Sequence, residues 1–238
     1  MKPSDLRDLF KMECQKIEEL IEETYHGYQA NCLPVYDGII DIEDYFTNPG
    51  LKILWILKEP HEGARDGELA GGGWHCRDVF DEKNPSYDTA PSTWHPIIYT
   101  TYGILNDFLA YENMPYIREN RQMAEIIKKI AFINVKKTIG YTRTNNSALK
   151  KAYADHKVLL HQQIITYNPD IIIGAGTMDL FYEELGIQKD TKNGSINYVV
   201  KNDKLFIWSY HPAQTQVTRN IFVNDIIALV ESWHKKQL

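Results

Sequence analysis

The chain has 238 residues, of which 43% are hydrophobic and 24% charged, and its formal net charge is −6. This length and composition suit one domain with a full core, and the acidic balance excludes a protein drawn to nucleic acid by its overall charge. No apolar run approaches the roughly 18 residues that span a bilayer, and the first residues lack the apolar core of a signal peptide, so we expect a cytoplasmic protein without a membrane partner.

The first fifty residues predict a helical extension. Apolar residues recur at helical spacing from Ser4, a suitable N-cap, to about Tyr25. Residues 28–49 contain two prolines and a glycine, and they predict a loop with one short element around 39–46. We therefore expect a single domain over 1–238, with an N-terminal extension (1–50) and a core (51–238).

The core opens with a predicted strand over 52–57 that runs directly into the sequence Lys-Glu-Pro-His-Glu-Gly at 58–63. This turn places two carboxylates, Glu59 and Glu62, beside the imidazole of His61. The glycine- and proline-rich stretch that follows extends to residue 91. Loops of such length inside a compact domain are uncommon and are usually functional or mobile.

Helices and strands alternate along the rest of the core. The pattern predicts strands over 131–136 and 170–177, a hairpin of 196–200 with 205–210, and helices over 92–109, 117–129, 145–167, 178–185 and 220–235. Strands that alternate with helices of ten or more residues predict an α/β fold, in which a parallel sheet is covered on both faces.

Polar side chains follow three of these strands. The apolar run 206–210 is followed by His211 and then by a proline, which cannot extend a central strand. The run from 131 ends in Asn134, Lys136 and Lys137. Because ligands of open α/β sheets bind outside the carboxyl ends of the strands, we expect these groups and the acidic turn to surround one hollow.

Four blocks, in this order, resemble the uracil-DNA glycosylase superfamily over about residues 51–230. They are Glu59-Pro60, the strand ending in Asn134-Val135-Lys136, the block Pro169-Asp170-Ile171-Ile172-Ile173-Gly174-Ala175-Gly176, and Tyr210-His211-Pro212-Ala213. The pattern is most similar to the thermostable iron–sulfur branch. The resemblance implies a three-layer α/β/α fold around a central, mainly parallel four-stranded sheet.

The resemblance also implies chemical roles. Asn134 corresponds to the asparagine that hydrogen-bonds the flipped base, and His211 to the histidine that stabilises the departing base as an anion. Glu59 and Glu62 correspond to the acidic positions near the attacking water. The aromatic residue that stacks on the base corresponds to Trp74 or, next, Phe80.

The sequence departs from that branch at several positions. Lys58 and His61 stand where its first motif has glycines, and either side chain could fill the base pocket. The loop after His211 lacks the leucine that often wedges the duplex. The cysteines that bind the iron–sulfur cluster have no equivalents, and the three cysteines of this chain show no zinc spacing, so we expect neither a cofactor nor a metal.

Contacts to nucleic acid are expected from a local patch of cations and from the loop after His211, which corresponds to the loop that enters the minor groove. The candidate residues are Lys136, Lys137, Arg143, Gln214 and Arg219.

Ordinary structural roles remain open to the same residues. His211 can satisfy a buried carbonyl beside its turn, and Asn134 can form an Asx turn. Glu59 and Glu62 can be hydrated loop carboxylates, and the lysines after Asn134 can be a hydrated surface pair.

We therefore expect a uracil-DNA glycosylase-like hydrolase that cleaves the N-glycosidic bond of a flipped base. Its partner would be DNA, including single-stranded DNA, or a free nucleobase or nucleotide. The alternatives are a non-catalytic member that binds a base, nucleotide or nucleic acid, and a Rossmann-like enzyme that uses His61 and His211 as acid and base on another nucleoside or sugar phosphate.

Overall fold

The structure is a computed structural model that describes residues 3–27, 33–61, 71–80, 90–141, 143–188 and 191–236. In these residues the strands are β1 (Gly38–Ile39), β2 (Ile53–Leu57), β3 (Ala131–Asn134), β4 (Ile171–Ala175), β5 (Thr191–Asn193), β6 (Ile196–Lys201) and β7 (Lys204–Ser209). The seven strands form one mixed sheet in the order β1-β3-β2-β4-β7-β6-β5.

The four central strands β3, β2, β4 and β7 run parallel, whereas β1, β6 and β5 join the sheet in antiparallel pairs. The predicted α/β fold with a parallel centre is thus confirmed. The sheet is larger than the expected four strands, because β1 extends one side and the β5–β6 hairpin extends the other.

The central strands form because their sequences are continuous apolar runs that suit burial on both faces. All five residues of β2 and of β4 are buried. Successive side chains point to opposite faces, so Ile53 and Trp55 enter one core cluster while Leu54 and Ile56 enter the other.

Helices cover both faces of the sheet. In the described residues the α-helices are α1 (Pro3–Thr24), α2 (Ile42–Thr47), α3 (Cys76–Val79), α4 (Pro91–Leu105), α5 (Asn146–Tyr167), α6 (Tyr182–Leu185) and α7 (Arg219–His234), and 3-10 helices cover Tyr111–Asn113, Arg121–Lys129 and Met178–Leu180. Two of them, α4 and α7, contribute to the cluster around Trp55, and α1 and α5 contribute to the cluster around Leu54.

The helix predicted over 117–129 is a 3-10 helix that begins at Arg121.

Within the described ranges, none of the helices has the length and apolarity required to cross a membrane.

The N-terminal segment, predicted as a helical extension, also supplies a strand. Gly38 and Ile39 of β1 pair with Phe132 and Ala131 of β3. Ile17 and Ile21 of α1 are fully or almost fully buried in the cluster that α5 also enters. The segment therefore buries apolar surface against the sheet.

Gly103 lies where α4 packs closely against α7. A Cβ atom at this position would lie 2.3 Å from Ile227 Cδ1, 2.6 Å from Met114 Cε and 2.7 Å from the carbonyl oxygen of Leu109. Alanine is the better helix former by up to about 1 kcal/mol, but overpacking costs about 1–3 kcal/mol. We expect Gly103→Ala to lower the free energy of unfolding, measured in urea, by about 1–2 kcal/mol.

Lys150→Ala on the exposed side of α5 is the control, and it is expected to change stability by less than about 0.5 kcal/mol. Unchanged or increased stability of Gly103→Ala would contradict this account of the α4–α7 contact.

Candidate functional site

The carboxyl ends of the parallel strands lie at one edge of the sheet, as the sequence predicts. Leu57 at the end of β2 is paired with Asn134 at the end of β3. On the other side of β2, β4 ends next to β7, whose last residue, Ser209, precedes Tyr210 and His211. This parallel register brings Glu59, Asn134 and His211 to the same edge.

A cavity of about 910 Å³ opens at this edge. It is lined by eight of the predicted site residues, namely Glu59, His61, Trp74, Phe80, Asn134, Arg143, His211 and Gln214. The structure also places in its wall several residues that the sequence did not single out as binding residues, among them Lys58, Trp94, Tyr141 and Asn146.

Backbone hydrogen bonds continue beyond the ends of β2 and β3 and hold the two following loops together. The amide of Lys136 donates to the carbonyl of Lys58 at 3.0 Å, and the amide of Gly140 donates to the carbonyl of Pro60 at 2.9 Å. Gly140 permits this close approach, since a Cβ there would lie 2.1 Å from Cδ of Glu59. The position of the Glu59 carboxylate is therefore fixed by a neighbouring loop that has no side chain at this point.

Glu59 forms an ion pair with Lys136. The Nζ of Lys136 lies 3.1 Å from Oε2 of Glu59 and also donates to the carbonyl of Ile139 at 2.9 Å. Only 8% of the Glu59 side chain is exposed. Lys136, predicted to contact nucleic acid, is thus engaged in holding the carboxylate at the wall of the cavity.

His211 is held as a neutral hydrogen-bond donor. Burial, and after it the positive charge of Lys58, lowers the pKa of His211 from 6.5 to about 4. Its Nδ1 accepts a hydrogen bond of 3.2 Å from the amide of Ala213. A neutral imidazole that accepts at Nδ1 carries its proton on Nε2, so the ring offers an N–H group to a ligand.

Lys58 lies beside His211. A Cβ built at Gly176 would be 3.2 Å from Lys58 Cε, 3.7 Å from its Nζ and 3.8 Å from the amide nitrogen of His211. No described residue accepts a hydrogen bond from the Lys58 ammonium or forms an ion pair with it. The sequence marked Lys58 as a departure from the resembled motif whose side chain could fill the base pocket, and the structure places Lys58 in the cavity wall.

Asn134 is 3% exposed and lies over a buried polar network. Its backbone amide and its Nδ2 donate to Oδ2 of Asp37 at 2.7 and 3.0 Å. The other oxygen of Asp37 accepts from Lys137 Nζ at 2.7 Å. Asp37 lies in a segment that the sequence predicted as loop, and no local pattern marked it.

The side chain of Lys137 is 0% exposed, which corrects its expected place at the surface. Burial lowers the pKa of Lys137, and the adjacent Asp37 carboxylate opposes that effect. An ammonium with no exposed surface and with Asp37 and Gln163 as partners is not available to a phosphate.

The two predicted stacking residues differ in their exposure. Phe80 is 6% exposed and packs edge-on against Trp94 and Phe132, with ring centroids at 4.5 and 5.8 Å. Trp74 is only partly buried in the cavity wall. Tyr141, which is 60% exposed, also lines the cavity. Among the described lining residues, Trp74 and Tyr141 are therefore the aromatic side chains with the most exposed surface for a base.

The remaining predicted residues lie around this edge. Arg143 is exposed beside the cavity, and Gln214 lines both this cavity and a neighbouring depression of about 210 Å³ that includes Arg219. The Gln214 side chain closes its own loop, because its oxygen accepts the amides of Gln216 and Val217 and its nitrogen donates to the carbonyl of Val217. Glu62 lies outside the described residues.

The described part of the chain contains no group of three or more His, Cys, Asp or Glu side chains that could hold a metal ion.

Comparison with protein-family models finds no match, and comparison with curated proteins finds none either.

The environment of His211 predicts its titration. In NMR spectra that detect the imidazole nitrogens, we expect the Nε2–H form to persist from pH 7 downward and to titrate with a midpoint near 4, against about 6.5 in the urea-unfolded chain. Because the unfolded state binds the proton between these values and the native state does not, stability should decrease as pH falls through this window. Lys58→Met should raise the midpoint, since it removes a positive charge.

A midpoint near 6.5 in the folded protein, or one that Lys58→Met leaves unchanged, would contradict the proximity of Lys58 to a buried His211.

Proposed function

We propose that this chain is a hydrolase of the uracil-DNA glycosylase type, which cleaves the N-glycosidic bond of uracil or a related base that has left the DNA base stack. The observation that carries the proposal is the convergence of His211, Asn134 and Glu59 on one cavity at the carboxyl edge of a parallel sheet. Helices on both faces of the sheet also fit the three-layer fold that the sequence resemblance implies.

The departing base requires donors. When the bond between C1′ of the sugar and the base nitrogen breaks, the base keeps the electron pair and leaves as an anion. His211, through Nε2–H, and Lys58, through its ammonium, are two donors in the wall of the same cavity. A fixed donor of this kind typically stabilises a developing oxyanion by about 3 kcal/mol.

The sugar requires negative charge and water. Loss of the base leaves an oxocarbenium-like sugar, to which a water molecule adds at C1′ while it loses a proton. The Glu59 carboxylate, fixed by Lys136 and by the close approach of Gly140, supplies both the charge and a proton acceptor. The products are an abasic sugar and the base anion, which becomes the free base when it takes up a proton.

Recognition of the base falls to the amide of Asn134 and to an aromatic side chain. An amide can donate to and accept from the Watson–Crick edge of a base, and this edge becomes accessible only when the base is flipped out of a duplex or lies in a single strand. Trp74 and Tyr141 provide partly exposed rings for stacking.

The charge around the cavity suits an anionic polymer despite the net charge of −6. Among the described lining residues, Lys58 and Arg143 are cationic, and the one carboxylate, Glu59, is already paired with Lys136. Arg219 continues the positive charge into the neighbouring depression. Affinity for nucleic acid depends on such local contacts with phosphates more than on overall charge.

A second candidate function, binding of a base or nucleotide without catalysis, is favoured by one observation. The carboxylate of Glu59 is 8% exposed and compensated by the Lys136 ammonium at 3.1 Å, which reduces the negative charge that it can direct at a cationic sugar. In this function the same cavity would hold the ligand with its glycosidic bond intact.

Activity is tested with a single-stranded oligonucleotide that contains one uracil, and with the corresponding duplex; abasic sites are detected by alkaline strand cleavage. We expect base release by the wild type. His211→Ala should reduce the rate by about 10²–10³ because it removes a donor to the leaving base, and Glu59→Gln by about 10²–10⁴ because it removes the carboxylate.

His234→Ala, at the exposed C-terminal end of α7, is the matched control and should retain full activity. Absence of cleavage by the wild type, together with retained binding of the oligonucleotide in fluorescence anisotropy, would replace the first function by the second. Absence of both would overturn both functions, and cleavage that survives both substitutions would overturn the roles assigned to the two residues.

A further inference from the structure

A carboxylate lies directly behind the amide that lines the cavity. Asp37 is 4% exposed, and its Oδ2 accepts two hydrogen bonds from Asn134, one from the backbone amide at 2.7 Å and one from Nδ2 at 3.0 Å. The side chain of Asn134 is thus attached at its nitrogen end to a group that lies inside the protein.

The carboxylate is itself held by a closed network. Its Oδ1 accepts from Lys137 Nζ at 2.7 Å and from Gln163 Nε2 at 3.2 Å. The Lys137 ammonium uses its other protons on the carbonyl of Asn134 at 3.1 Å and on Oε1 of Gln163 at 2.7 Å. Lys137 and Gln163 are 0% exposed, so water does not compete for these contacts.

This arrangement decides which end of the Asn134 amide faces the ligand. An ionised carboxylate only accepts hydrogen bonds, so the NH₂ group must face Asp37. Rotation of the amide by 180° would place two acceptors against each other. No described residue donates a hydrogen bond to Oδ1 of Asn134, and the residue lines the cavity.

The Lys137 ammonium compensates the charge of this enclosed carboxylate. Its Nζ lies 2.7 Å from Oδ1 of Asp37, and neither side chain has any exposed surface. An uncompensated charge in the core is strongly unfavourable, so the ammonium is needed for the carboxylate to lie behind Asn134. Lys137 therefore serves the site from within the protein rather than from its surface.

We propose that Asp37 is a positioning residue that fixes the Asn134 amide with Oδ1 toward the cavity, so that the site accepts a hydrogen bond from its ligand. The identity of that ligand rests on the proposed function. A base whose ring nitrogen carries a proton at this edge, as in uracil, satisfies Oδ1, whereas cytosine presents an acceptor there and leaves two acceptors opposed.

The orientation is tested first in the wild type, without a ligand. NMR should show slow exchange of the Asn134 Nδ2 protons and a scalar coupling through the hydrogen bond between Asn134 Nδ2 and the Asp37 carboxyl carbon. Rapid exchange together with absence of this coupling overturns the proposal, and this measurement does not depend on any substitution.

The role of Asp37 is tested with the double variant Asp37→Asn/Lys137→Met, which removes both buried charges and leaves no ion unpaired. The new amide at 37 can either donate or accept, so the Asn134 amide should lose its fixed orientation and its Nδ2 protons should exchange at least tenfold faster. Tyr45→Phe, which removes a different buried hydrogen bond, to the carbonyl of Tyr167, is the control and should leave that exchange unchanged. Slow exchange that persists in a folded double variant overturns the proposal.

Selectivity is then measured by titration with free uracil and free cytosine, followed by NMR shifts of cavity residues. We expect the wild type to prefer uracil by at least tenfold and the double variant by less than about threefold. An unchanged preference in the double variant overturns the proposed role of Asp37. Binding of neither base by the wild type overturns the choice of ligand and the proposed function, while the exchange and coupling measurements still decide whether Asp37 orients Asn134.

Discussion

The site depends on one constraint, the parallel pairing of β3, β2, β4 and β7. Strands that run in the same direction deliver whatever follows them to the same edge of the sheet. Hence Glu59, Asn134 and His211, which are far apart in the chain, line one cavity. An antiparallel strand at any of these positions would have sent its polar end to the opposite edge, and the fold would have contained the same residues without a site.

Buried residues beneath this edge determine which hydrogen-bonding group Asn134 presents to the cavity. A buried ion pair contributes little to stability relative to a well-packed apolar pair, because both charges lose their hydration. The pair formed by Asp37 and Lys137 is fully enclosed, so its presence calls for a role other than stability. Its contact with the Asn134 side chain supplies one, since an ionised carboxylate imposes an orientation on an amide that a neutral partner such as another amide would leave open.

The sequence predicted the residues at the strand ends better than their partners. Apolar runs and the residues that follow them are local features, so the edge of the sheet and the positions of Asn134 and His211 could be anticipated. Lys136 and Lys137 look equivalent in sequence. In the structure, however, Lys136 forms an ion pair with Glu59, whereas Lys137 is buried and forms an ion pair with Asp37, which lies 100 residues earlier in the chain. That difference arises from long-range contacts, which local spacing does not contain. The strand β5 was not predicted either, because its residues Thr191–Asn193 are polar. They form a strand by pairing with β6.

The positive charge of Lys58 affects the protonation state of His211. A protonated imidazole beside an ammonium would place two positive charges in the same wall, and the repulsion, added to burial, keeps the ring neutral. In the reaction that we propose, the cavity would offer a departing base one cation and one neutral N–H donor. A base anion gains more from a cation than a neutral base does, so the attraction to Lys58 would grow as the glycosidic bond breaks. Interactions that strengthen in the transition state are the ones that accelerate a reaction. Lys58, although it departs from the motif that the sequence resembles, is therefore compatible with the proposed chemistry.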